Sequence, residues 1–108
     1  MKSLVNWIQY FGQRPMAITR INHFQAKAGH EEQLFVFLKN VITIVRSYPC
    51  SISCQLVRSI EDSAQLVIIE EWENVEAHQK ASAAIPPEQL QQAMTMFAKP
   101  PVGQYYRR

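Results

Sequence analysis

Gln65–Trp72, QLVIIEEW, is the stretch about which the sequence is organised. It is rich in β-branched residues, has the length of one strand, and follows a turn-like Glu61, Asp62 and Ser63. Alternation sends Leu66, Ile68, Glu70 and Trp72 to one face and Val67, Ile69 and Glu71 to the other. Both faces carry apolar residues, whereas a sheet with one face in water shows a clean polar stripe, so each face is expected to be covered. Glu70 and Trp72 share a face at the strand's end. Two readings are open: Trp72 is a large core residue beside a solvated Glu70, or the two form the wall of a pocket.

Upstream, Ser51–Ser59 reads as a strand joined to the first by the turn Ser59–Ala64, which makes an antiparallel hairpin. Ala17–Lys27 reads as an earlier strand with Ile18, Arg20, Asn22, Phe24 and Ala26 on one face and Thr19, Ile21, His23 and Gln25 on the other. Arg20 and Asn22 interrupt an apolar stripe. They either face a cavity or pair with backbone and carboxylates at the rim of the core. Gly29 breaks this strand, and a helix is expected from about His30 to Ser47 with Leu34, Phe37, Leu38, Val41, Ile44, Val45 and Tyr48 as its inner stripe. Glu31 and Glu32 in its first turn and Arg46 in its last suit the helix dipole.

Downstream of Trp72, Asn74 is placed to cap a short helix through about Ser82. A further helix is expected from about Glu88 to Ala98, with Met94 and Met96 as core filler. Val102–Arg107 then forms a last strand. At the start, Leu4, Trp7, Ile8 and Phe11 recur at helical spacing, so residues 1–16 are read as a helical extension and 17–108 as the domain. The order strand, helix, strand, strand, helices, strand predicts an α+β, ferredoxin-like antiparallel sheet with helices on one face. The other sheet face keeps Ile21, Val57, Val67 and Ile69, and an apolar sheet face of this kind predicts a homodimer packed face to face.

With 108 residues the chain fits one domain able to bury its own core. A net charge of +2 with no basic stripe argues against nucleic acid. No apolar run reaches membrane-spanning length, and the first residues lack the small-residue cleavage site of a signal peptide, so a cytoplasmic protein is expected. Cys50 and Cys54, if on one strand, stand roughly 13 Å apart, too far for a disulfide. With no histidine close by they do not form a zinc site, and they are read as reduced packing residues.

From about Ala17 to Met94 the chain resembles the antibiotic-biosynthesis monooxygenase family of dimeric α+β barrels. The residues that carry the resemblance are Gly29 after the first strand, the YPCSISCQLVRS stretch after the long helix, Ser59, Glu61 and Asp62 in the turn, Glu70 and Trp72 as the Glu-x-Trp signature, and Ala77 in the short helix. The chain departs from the family at Cys50, where a glycine is frequent, and at Cys54, where a tyrosine is common. Ala81 stands where many members carry a helix histidine, and His78 lies one turn earlier at i, i+3. Asn22 and Trp72 also match two residues of haem-degrading relatives, but Ser82 occupies the place of their axial histidine, which leaves haem ligation without support.

The resemblance implies a reaction without metal or cofactor, in which a phenolic substrate such as a hydroquinone or anthrone loses a proton and its anion reduces oxygen directly. Such chemistry needs an apolar slot, donors for the phenolate and a base. Glu70, Asn22 and Trp72 are the candidate catalytic residues. Arg20, Trp72, Phe24 and Leu38 are the candidate substrate-binding residues. Glu70 is the base if burial raises its pKa; if Arg20 simply neutralises it, no base remains. The implied function is a cofactor-independent monooxygenase of quinol-like or polycyclic phenolic substrates. The alternative is a non-catalytic small-molecule-binding or regulatory dimer of the same fold.

Overall fold

The computed structural model describes residues 16–108; the helix expected around Leu4, Trp7, Ile8 and Phe11 lies outside them. The elements are β1 (Ile18–Gln25), α1 (Glu31–Arg46), β2 (Ser51–Arg58), β3 (Gln65–Trp72), α2 (Val75–Ala83), α3 (Pro87–Met94) and β4 (Val102–Tyr106). The strands form one antiparallel sheet in the order β2-β3-β1-β4, with the helices on one face, which is the ferredoxin-like α+β arrangement expected. QLVIIEEW is a central strand. Its burial alternates along the whole length, with Leu66, Ile68, Glu70 and Trp72 buried beneath the helices.

Gly29 is at φ 85°, a left-handed conformation that turns the chain from β1 into α1 with little penalty for a residue lacking Cβ. At the far end Pro49 cannot donate a backbone hydrogen bond, and α1 stops at Arg46. Arg46 then reaches sideways. Its Nε and Nη2 donate to the Cys54 carbonyl at 3.0 and 2.7 Å, which ties the helix end to the edge strand β2. Leu34 and Leu38 of α1 pack with Ala26, Cys54, Leu66, Ile68 and Met96 in the main core cluster. A second cluster joins Ile18, Trp72 and Ala81, with Tyr48 and Cys50 against it. Both cysteines are free, Cys54 buried in the first cluster.

Asn74 caps α2 as expected, its Oδ1 accepting from the Ala77 N–H at 2.8 Å. The next helix is shorter than its sequence suggests, ending at Met94 instead of Ala98. Residues beyond it are drawn to the end of β1: Lys27 N–H donates to the Met96 carbonyl and Ala98 N–H to that of Gln25, at 2.9 and 2.7 Å. These tertiary hydrogen bonds win over helix continuation. They also separate the two methionines, because Met96 is 1% exposed in the core while Met94 is 67% exposed. Ile44, counted with the inner stripe of α1, is likewise half exposed.

Candidate functional site

Period-two alternation brings the polar residues of β1 and β3 to the inner face, and antiparallel pairing sets Arg20 opposite Glu70 and Asn22 opposite Ile68. Between that face and the helices lies a cavity of about 490 Å³. Its sheet wall includes Arg20, Asn22, Phe24, Glu70 and Trp72, and α1 adds Leu38. Apolar residues of α1 and α3, such as Val41, Ile44, Leu90 and Met94, make most of the remaining surface. Ala81 closes the wall at the place where the resemblance leads one to look for a histidine.

Glu70 is the buried charged residue of this wall, 6% exposed. Trp72 Nε1 donates to its Oε1 at 2.8 Å, and Asn22 Nδ2 donates to its Oε2 at 2.7 Å. Arg20 Nε in turn donates to Asn22 Oδ1 at 3.0 Å. The chain of donors is self-consistent. Arg20 has only donors, so Asn22 must turn its oxygen to Arg20 and its amide nitrogen to Glu70. The chain ends on the Glu70 carboxyl group, which accepts at both oxygens. Arg20 is therefore linked to Glu70 by hydrogen bonds through Asn22, while its charge also acts on the carboxyl directly.

Burial is the largest influence on Glu70 and pushes its carboxyl above the ordinary value of 4.5. The Trp72 indole N–H, the charge of Arg20 and the Asn22 amide act in the opposite direction, in that order. The result is a carboxyl group whose affinity for a proton is raised, anchored in a largely apolar cavity.

His78, which lines the cavity, and Tyr105, which touches it from β4, are not among the candidate residues read from the sequence. The Arg20 guanidinium lies 4.5 Å above the Tyr105 ring, and the Tyr105 hydroxyl shares a 2.6 Å hydrogen bond with His78 Nδ1. His78 meets Trp72 edge-on, with ring centroids 5.7 Å apart. The contacts thus close a ring running Glu70, Asn22, Arg20, Tyr105, His78, Trp72 and back to Glu70. Gly103 makes room for it. A Cβ at this position of β4 would overlap the Arg20 guanidinium and the Asn22 carboxamide oxygen. The spacing of His78 from Ala81 was a signal for its inclusion; Tyr105 and Gly103 gave one only once β4 was paired with β1.

Trp72 is 1% exposed, with Tyr48 at 6.2 Å and His78 at 5.7 Å between ring centroids. Phe24 stands beside Phe97, at 5.7 Å. Among the described residues there is no group of three or more His, Cys, Asp and Glu placed to hold a metal ion, and no helix is long and apolar enough to cross a membrane.

Comparison with solved structures gives the same fold at low identity. A conserved protein from Methanosarcina mazei Go1 superimposes with a TM-score of 0.80 at 18% identity, covering 92% of this chain and 98% of that one. A variant of SnoaB, a cofactor-independent oxygenase from Streptomyces nogalater, gives 0.73 at 14%, covering 86% and 93%. Rv0793 from Mycobacterium tuberculosis gives 0.75 at 18%, covering 85% and 94%. No curated protein matches the sequence. The family model described as antibiotic biosynthesis monooxygenase matches residues 17–94, most of the chain's length, and the chain belongs to that family.

Proposed function

We propose that this protein is a cofactor-independent monooxygenase acting on quinol-like or polycyclic phenolic substrates. The observation that carries the reading is the carboxylate of Glu70, raised in proton affinity by burial and fixed by Asn22 and Trp72 at the wall of an apolar cavity. Family membership and the likeness to an oxygenase named cofactor-independent support it.

In this reading a planar phenolic ring enters the cavity against Phe24 and Leu38. Glu70 takes a proton from the substrate, and Arg20 faces the oxygen on which negative charge develops, an arrangement worth most where water is excluded. Asn22 and Trp72 hold the carboxylate so that it need not reorganise. Trp72, being buried, acts through Glu70 more than as a stacking platform. The substrate anion supplies the electrons that reduce oxygen. The protein acts as a homodimer, with Ile21, Val57, Val67 and Ile69 of the outer sheet face meeting those of a second copy.

A second reading has its own observation. Both Glu70 oxygens already accept a hydrogen bond, and Arg20 is engaged with Asn22 and Tyr105, which also suits a structural network beneath a cavity that binds a small molecule without turning it over. Oxygen uptake with hydroquinones and anthrones, in buffer free of metal ions, separates the two. Uptake above autoxidation that is lost in Trp72→Ala and Asn22→Ala supports the oxygenase. Unchanged autoxidation with every substrate supports the binding protein.

A further inference from the structure

His78 is not used by the reaction just described, yet it lines the same cavity. Its ring is fixed from several sides: Nδ1 lies 2.6 Å from the Tyr105 hydroxyl on β4, and Trp72 on β3 meets it edge-on. Tyr105 is itself held by the Arg20 guanidinium stacked over its ring. Nε2 makes no hydrogen bond among the described residues. Among the described residues no carboxylate hydrogen-bonds to the imidazole, and burial first and the charge of Arg20 second push it below its ordinary value of 6.5. When Nδ1 carries the proton and donates it to the Tyr105 oxygen, Nε2 is left with a free lone pair, the form of a general base.

We propose that His78 is a second catalytic base, acting at Nε2 on the oxygenated intermediate, and that Tyr105 is the residue that positions it. The proposal rests on the monooxygenase reading above. Oxidation of a ring CH₂ to a carbonyl with one O₂ yields one water and removes two protons from the same carbon. Glu70 takes the first, the carbanion passes electrons to O₂ as the C–O bond forms, and the protonated Glu70 returns its proton to the terminal oxygen to give a hydroperoxide.

The remaining C–H bond then has to break. Its proton goes to His78 Nε2, its electron pair becomes the second bond of the carbonyl, and the O–O bond breaks to release hydroxide. Hydroxide recovers the proton from the imidazolium and leaves as water. Oxygen addition to a planar carbanion pushes the last hydrogen out of the plane, away from the oxygen. A carboxylate pinned at both oxygens does not follow it; a second base, separated from the first by the Trp72 ring, stands at a different point on the wall.

Anthrone is the probe, with oxygen uptake, quinone absorbance and acid-quenched hydroperoxide followed together. In the wild type, uptake and quinone formation coincide. In His78→Asn, initial uptake stays within about twofold while quinone formation slows at least about tenfold, modest against the usual worth of a general base, and hydroperoxide accumulates. Tyr105→Phe shows the same separation to a smaller degree, because the base is present but no longer oriented. Coincident signals at wild-type rates in His78→Asn overturn the role of His78 and leave the monooxygenase reading standing. Equal loss of both signals in a variant whose circular dichroism is unchanged overturns the assignment to the second step. No uptake by the wild type above autoxidation overturns the monooxygenase reading itself, and this role with it.

Discussion

Replacing Glu70 by Gln tests the donor chain at its end. Asn22 Nδ2 and Trp72 Nε1 both point donors at residue 70, and Arg20 prevents Asn22 from turning its oxygen round. A carboxyl group, ionised or protonated, has an acceptor on each oxygen. Glutamine has one acceptor and an amide that only donates, so one buried donor loses its partner at a cost of about 1–3 kcal/mol. For a domain of this size that lowers the melting temperature by about 4–8 °C per kcal/mol.

The pH dependence carries a sign. Glu70 has a folded value raised above 4.5, so its contribution to stability is fully present below the unfolded value and is lost as pH rises through the folded one. Within that window the wild type loses about 1.4 kcal/mol per pH unit from this group, while the Gln variant loses nothing from it. Every other titrating residue is common to both proteins. The stability gap, measured by urea unfolding at steps between about pH 4 and about pH 8, is therefore widest at the acid end and narrows with rising pH. A gap that widens instead would mean that the donors outweigh burial and hold Glu70 ionised, which would refute the raised proton affinity on which the base assignment depends.

Other consequences follow from separate features. Gly103→Ala forces the Arg20 and Asn22 side chains to move, with an overpacking cost of about 1–3 kcal/mol read by urea unfolding, and it lowers oxygen uptake with anthrone; unchanged stability and uptake would contradict the close packing there. Cys54, whose thiol burial and the nearby Glu70 push up to about 12, resists a thiol reagent at mildly alkaline pH in the folded protein and reacts when urea is added; rapid native labelling of Cys54 would contradict its packing. Val67→Glu, on the outer sheet face opposite His23 and Val57, converts the proposed homodimer to a monomer in light scattering with circular dichroism unchanged. A wild type that scatters as a monomer would refute the face-to-face pairing.

The fold was legible because each element carried its own signal. QLVIIEEW is a β-branched run of strand length, Gly29 and Pro49 bracket the long helix, and Asn74 announces the next one. The gathering of Arg20, Asn22, Glu70 and Trp72 on one cavity wall follows from alternation within two strands, a property local enough to read from sequence. What was not legible depends on pairings between distant segments. The register of β4 on β1 sets Gly103 beside Asn22 and Tyr105 beside Arg20, and no pattern in VGQYY fixes that register. The early end of α3 has the same origin, since hydrogen bonds to Gln25 and Lys27 decide it. His78 needed the rotation of α2 about its axis, which only packing against Trp72 and Tyr105 defines.

In the proposed reaction the protein itself removes the substrate's proton, through Glu70. Anaerobic titration with anthrone isolates that step, because the conjugate anion absorbs at longer wavelength than the neutral molecule and no oxygen is present to consume it. The wild type is expected to develop the anion's spectrum on binding, at a pH where free anthrone stays neutral, and Glu70→Gln to bind anthrone without developing it. Equal anion formation in both proteins, or neutral anthrone bound by both, would contradict the assignment of Glu70 as the base.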